Sequence, residues 1–532
     1  MGITEDLKLV DVFIIAAYFI FIVLIGIRYR KSRDAESYFL AGRSMTWPII
    51  GFSMFATSIS SSTLIGQTGD AYSTGIAVFN YNLISIVVMV FFAWFFLPFY
   101  IKSRIFTLPE FLERRFDSKS KYYFSGITIL INIFLDAAGG LYAAALVIKL
   151  VFPEISITYL VIIFSLIVAI YTIPGGLSST IRVDLIQGIV LFIGAFILTV
   201  IISNKGGMDY IAGQFAEGNF SMKLVRPLND PSVPWLGMIV GIPVLGFFFW
   251  GNNQSLVQRA LAAKNVDEGR KGVLLVGLLT LITLFVIIIP GVMARNFFPN
   301  LEKPDMVYPS LIIKMLPVGL VGFLIAALIA ALTSTISGLL NSVATLFTMD
   351  FYCSIKKNTT SKQQVVVGRI VAALALIIAV MWAPQIGNRF GSLLKYYQEM
   401  LSMMAPPIVA AFLLGVFWKR INSAGAITGL IGGALLGLLN LLFKLKHGVS
   451  LFGDIHFLLT VPIYLVFSMV LMIVTSYLTG IPNYEGIKPY IWNRKDFSQE
   501  TKSLKTLPFY KNYRILSYIL LGLCLLVLVL FW

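Results

Sequence analysis

Apolar runs of about twenty residues recur from Leu9 to Trp532, separated by short polar stretches. Each is long enough to cross a hydrocarbon core of ~30 Å as a helix. The pattern predicts fourteen helices, over 9–28, 46–73, 78–101, 122–150, 157–174, 180–203, 235–258, 271–295, 318–352, 363–385, 391–418, 423–444, 455–478 and 513–532. Two of them carry polar residues where lipid rewards none. ATSISSSTLIG (56–66) puts six hydroxyl side chains into the second helix, and FFFWGNNQSLVQRA (247–260) puts glycine, amides and a hydroxyl into the seventh. Backbone freed from a helix inside a membrane needs other partners, so both stretches are predicted helix breaks facing a cavity. They lie five helices apart, and an odd separation makes the two helices antiparallel. Interruptions at matching positions of two halves are the pattern of an inverted-repeat transporter with a site near the bilayer midplane. On this reading 1–45 holds the first helix and an inner loop, 46–203 the first repeat of five helices, 204–234 an outer loop, 235–420 the second repeat, and 421–532 accessory helices. The fold class is an all-α polytopic membrane protein.

Composition agrees: of 532 residues, 58% are hydrophobic and 12% charged, about half the charged share of a soluble chain. The net charge of +16 matters through its placement. With the N-terminus outside, 29 of the 41 Lys and Arg fall on the inner side, leaving 12 outside. The asymmetry fixes a multi-pass orientation in the plasma (inner) membrane with both termini outside. The basic charge is thus a topology signal, and the expected partners are the lipid bilayer and a small polar solute, with no nucleic acid. MGITEDLKLVD lacks the basic start of a cleaved signal, so the first apolar run is expected to be retained. Cys353 and Cys524 are far apart, and His447 and His456 share one outer loop with no Cys or Glu beside them. No nucleophile–base pair or metal motif stands out, so neither an enzyme nor an organic cofactor is expected.

The ninth helix holds AALIAALTSTISGLLNSVATLFTMD (326–350), in which Ser334, Thr335 and Ser337 fall within one turn and Asn341 follows a turn after Ser337. Small residues there serve close helix packing. They also serve a cation site, because a small hard cation takes several oxygens and a neighbouring broken helix offers spare carbonyls. Neutral oxygens hold sodium weakly, as suits an ion released on every cycle. Two acids lie in apolar runs, where ionisable groups default to function. Asp136 is midway along its helix, with Asn132 one turn back as an alternative partner. Asp184 is near the inner end of its helix, with Arg182 as an alternative partner at the inner rim. Glu399 and its neighbour Gln398 are further candidates.

The stretches YFLAGRSMTWPIIG, FTLPEFLERRF, IPGGLSSTIRVDLIQG, WGNNQSLVQRALAAK, YPSLIIKMLPVGLVG, LLNSVATLFTMDFY and MAPPIVAAFLLGVFWKR, between residues 38 and 420, resemble the sodium/solute symporter family in its bacterial sodium/glucose cotransporter branch. The resemblance implies a five-plus-five inverted-repeat (LeuT-like) core, sodium as coupling ion and alternating access. It places the main sodium site at the carbonyls of Ala56, Ile59 and Ala331 and the hydroxyls of Ser334 and Thr335. It marks Asp184 and Ser337 as a second sodium site or an exit route for the ion, although Gly338 stands where some two-sodium members have serine. The aromatic gate becomes a stack of Phe249 and Trp250. The sugar-binding pattern is mostly changed: Thr63 stands for its Gln, Asn82 for its Glu, Gly246 for its Asn and Thr280 for its Lys, while Ser85 and Gln398 are retained. The expected solute residues are Ser58, Ser60, Thr63, Gln67, Asn82, Ser85, Asp136 and Gln398, with Thr57, Ser61 and Ser62 as packing residues. The resemblance implies symport of a sugar, amino sugar or polyol. Sialic acid, a nucleoside or an amino acid is the alternative, ahead of a channel or a transporter-like sensor.

Overall fold

One helix of 46 residues, Ile157–Ile202, is too long for a single crossing. At 1.5 Å per residue it would extend ~69 Å, over twice the hydrocarbon thickness. In the computed structural model, which describes residues 8–29, 34–59, 62–151, 154–301, 303–389, 393–453 and 455–532, it is kinked. Pro174 supplies no amide proton, and Gly176 takes φ 56°, ψ −150°, a region open essentially to glycine alone. Carbonyls freed there find new donors: Tyr38 Oη donates to Ile173 O at 2.9 Å and Arg369 Nη2 to Pro174 O at 2.8 Å. The two arms match the predicted helices 157–174 and 180–203.

Among the described residues, twelve helices are long and apolar enough to cross a membrane, and the bent pair Trp47–Ser58 and Thr63–Thr74 makes a thirteenth unit. The sequence pattern counts fourteen because it reads the two arms of Ile157–Ile202 as separate helices, where the structure has one kinked helix.

Both predicted breaks are present. Trp47–Ser58 ends at Ile59, whose backbone is extended (φ −91°, ψ 91°), and the segments on either side are bent by 66°. In the second repeat, helix Ile242–Phe247 opens into wide π-type turns over Phe248–Asn252. Asn253 is then extended (φ −79°, ψ 115°), and its side chain accepts Ser255 N–H at 2.9 Å to start helix Gln254–Leu261. An asparagine at that position supplies an acceptor to an otherwise orphaned helix N–H.

The helix Leu320–Thr345 is buried along almost its whole length and packs on Ile157–Ile202 and Trp47–Ser58. The later helices Ser423–His447, Phe457–Leu478 and Tyr513–Leu530 present large exposed apolar side chains, including Leu438, Val466 and Leu526, as lipid-facing spans do. The polar segment before the last helix is tied back by one cluster. Glu500 accepts from Arg270 Nη1 at 2.5 Å, Arg514 Nη2 at 3.1 Å and Tyr513 Oη at 2.9 Å.

Candidate functional site

The break after Ser58 brings three elements together. Thr335, on Leu320–Thr345, donates its hydroxyl to Thr57 O at 3.1 Å and to Ala331 O at 3.0 Å. The Thr57 and Ala331 carbonyls therefore meet at the Thr335 hydroxyl. Ala56, Ala331 and Ser334 are buried, and Ile59 and Thr335 also line the adjoining cavity. The donor set is carbonyl and hydroxyl oxygen, the chemistry that suits a small hard cation.

A buried ion pair stands behind it. The Asp184 and Arg259 side chains are 0% exposed, and Arg259 Nη2 lies 2.6 Å from Asp184 Oδ2. Ser334 Oγ donates to Asp184 Oδ1 at 2.7 Å, and Ser53 Oγ to Oδ2 at 3.0 Å. Arg182, the alternative partner read from sequence, instead donates to Ser178 O at 2.5 Å and lies over the Tyr29 ring. Ser337 is turned into its own helix, donating to Ser334 O at 2.8 Å. Thr57, expected to be a packing residue, accepts at its carbonyl from Thr335, and its Oγ1 is 3.4 Å from Ser334 Oγ.

Beside this junction lies a cavity of about 280 Å³, just below the ~300–1,000 Å³ usual for small-molecule sites. Ser58, Thr63, Gln67, Asn82, Ser85, Asp136, Phe249 and Trp250, the solute and gate residues expected from sequence, all line it. Thr280 and Gly246, the replaced sugar-site positions, line it too. Ser60 lies outside the described residues. Gln398 belongs to helix Leu393–Phe417, but its side chain lies outside the described portion. Gln67 and Asn82 form a reciprocal amide pair, each Nε2 or Nδ2 donating to the other's oxygen at 3.1 Å, and Asn82 also donates to Thr283 Oγ1 at 3.0 Å. Phe249 and Trp250 meet edge to face rather than stacked, with centroids 5.2 Å apart at 84°, the arrangement ring quadrupoles favour. Asn132, the alternative partner for Asp136, donates to Ser342 Oγ at 2.8 Å.

Sequence reasoning missed Asp70, Tyr81, Thr283 and Trp382 in the lining. Helical spacing held the signal for two of them: Asp70 follows Gln67 by three residues and Thr283 follows Thr280 by three, so each shares a face with a recognised position. It also missed Arg259 as the partner of Asp184.

The family model described as "Sodium:solute symporter family" matches residues 38–433. Mus musculus sodium/glucose cotransporter 1 is 30% identical, over 92% of this chain and 82% of its own length. The Homo sapiens sodium/myo-inositol cotransporter is 31% identical, over 91% and 76%. Among solved structures, a Na+-coupled sialic acid symporter in a substrate-bound outward-open state is similar at TM-score 0.79 and 23% identity, covering 90% of this chain and 99% of that one. A nucleobase-cation-symport-1 family transporter in a closed conformation is similar at TM-score 0.56 and 14% identity, covering 88% and 100%.

Proposed function

Because the chain belongs to the sodium:solute symporter family, we propose that it couples inward sodium flow to uptake of a neutral or amino-bearing polyhydroxylated solute, a sugar or cyclitol. The observation that carries the solute class is the cavity lining. It offers Asp70 and Asp136 as carboxylates, the Gln67–Asn82 amide pair and several hydroxyls, with no Lys, Arg or His among the described lining residues. Such a wall, rich in hydroxyl and amide groups, pairs well with the hydroxyls of a polyol. The names of the relatives, glucose and myo-inositol cotransporters, point the same way.

Sodium is taken up between the carbonyls of Ala56, Ile59 and Ala331 and the hydroxyls of Ser334 and Thr335. Tying the broken helix to Leu320–Thr345 orders the cavity wall at Ser58 and Thr63. The solute then binds near Thr63, Gln67, Asn82 and Asp136, and the bundles rock across Phe249 and Trp250. Binding linkage is reciprocal, so the solute tightens sodium as sodium tightens the solute. One charge crossing ~100 mV gains ~2.3 kcal/mol, and a tenfold sodium gradient adds ~1.4 kcal/mol. Together they sustain roughly 500-fold accumulation of a neutral solute per sodium ion.

The test is a thermal-stability screen of purified protein with glucose, myo-inositol, glucosamine, sialic acid, a nucleoside and an amino acid, in sodium and in choline. Stabilisation by a sugar or cyclitol only in sodium is expected. Stabilisation by sialic acid alone would overturn the solute assignment.

A further inference from the structure

We propose that the segment 502–511, just ahead of the last helix, is a binding site for the headgroup of an anionic phospholipid. Its sequence, KSLKTLPFYK, holds three lysines and no acid. Lys502, Lys505 and Lys511 are all exposed, and among the described residues none of them is in an ion pair. Cations clustered beside a membrane span attract acidic lipid, each adding its own share of the binding.

The lysines flank an apolar tip. Phe509 is 65% and Tyr510 57% exposed, and Leu507 is exposed beside them. The two rings meet edge to face with centroids 5.7 Å apart, and Lys511 Nζ lies 5.9 Å from the Tyr510 ring centroid. A membrane interface accepts both parts at once, aromatic rings at headgroup level and ammonium groups against phosphate. An acidic protein or a free phosphate would match the charges and leave the rings in water. The tip also continues a lipid-facing surface. Helix Tyr513–Leu530 exposes Ile515, Tyr518, Ile519 and Leu526, a spacing that keeps them on one helical face.

The segment is held in shape by its own hydrogen bonds, so little ordering is left for the lipid to supply. Asn512 Nδ2 donates to Leu504 O at 2.9 Å, and its Oδ1 accepts Arg514 N–H at 3.0 Å. Leu507 N–H donates to Leu504 O at 3.2 Å and Lys511 N–H to Pro508 O at 2.9 Å. Arg514 reaches back to Phe497 O at 3.2 Å and Glu500 at 3.1 Å. Glu500 in turn holds Arg270 of helix Val266–Thr283, which carries Thr280 and Thr283 in the cavity wall. Lipid on the lysines is thereby joined to a helix of the solute cavity through Arg514, Glu500 and Arg270.

The experiment titrates the detergent-purified full-length chain with short-chain phosphatidylglycerol or phosphatidylcholine. Wild type is expected to bind phosphatidylglycerol more tightly, and added salt to erase the preference. Lys502→Gln, Lys505→Gln and Lys511→Gln together should weaken phosphatidylglycerol about 100-fold, about fivefold per lysine, and leave phosphatidylcholine unchanged. Phe509→Ser with Tyr510→Ser should weaken both lipids alike. A triple lysine variant that keeps the wild-type preference overturns the proposal. So does binding of glycerol phosphate as tightly as the lipid, which would assign the site to a soluble phosphate, or tighter binding of polyglutamate, which would assign it to an acidic protein. Exposed lysines are substituted at little cost to stability. Should the triple variant still fail to fold, Lys505→Gln and Lys511→Gln singly, each expected to lose about fivefold, decide.

Discussion

Thr335→Val removes one oxygen from the proposed sodium junction while keeping the side chain's shape. The hydroxyl bridges Thr57 O and Ala331 O at 3.1 and 3.0 Å, so two consequences are separable. Loss of a neutral bridge at a helix end costs ~1 kcal/mol of stability in any cation. Loss of one ligand from a bound charge costs ~1.5–3 kcal/mol of sodium affinity, or about 10- to 150-fold. The readout is stabilisation by sodium over choline. At a sodium concentration 100 times its dissociation constant, wild type gains ~2.7 kcal/mol. A 10-fold weaker variant gains ~1.4 kcal/mol there and a 100-fold weaker one ~0.4 kcal/mol. A Thr335→Val protein that is less stable in choline yet gains the full wild-type increment in sodium would refute the placement of sodium beside Thr335.

Asn82→Ala breaks the Gln67 amide pair and is expected to weaken solute binding about tenfold while leaving sodium stabilisation unchanged; loss of sodium stabilisation would contradict the division of the site. Gly176→Ala forces a side chain into a glycine-only conformation and against the Tyr38 carbonyl. It should cost at least ~1–3 kcal/mol of stability, and an unshifted thermal midpoint would show that the kink does not need glycine. Burial pushes the Glu500 carboxyl up, but Arg270, Tyr513 and Arg514 outweigh it and hold its pKa below the ordinary glutamate value. The contribution of the cluster is therefore present above the unfolded pKa of about 4.3 and lost as pH falls through the lower folded value. Glu500→Gln should flatten that acid limb of the stability–pH curve, and an unaltered limb would dismiss the cluster as its source.

The broken helices were legible because polar residues in a lipid-length run have few physical explanations, and both ATSISSSTLIG and FFFWGNNQSLVQRA open where their composition predicts. The division between 157–174 and 180–203 was legible, and it falls at IPGG, where proline and glycine each interrupt the ladder. The Asp184–Arg259 pair was not. Arg259 directly precedes a polar loop, and charge near a span end reads as topology; its partner is 75 residues away in sequence, and nothing local reports that distance in space. Arg182, two residues from Asp184, was the nearer candidate, yet a helix places residues two apart on different faces. Thr57 looked like a packing residue because its hydroxyl returns to Ser53 O at 2.8 Å, while its use at the junction comes through the carbonyl, which sequence does not distinguish. The cavity positions followed partly from the family resemblance and partly from helical spacing, and Trp382 came from a helix with no polar signal.

The central claim, that sodium flow drives solute entry, is tested most directly by reconstituting the chain into vesicles and following labelled glucose and myo-inositol. An inward sodium gradient should drive at least one of them above its external concentration, and Ser334→Ala with Thr335→Ala should abolish that accumulation. Equal uptake in sodium and choline, levelling at the external concentration, would contradict the account.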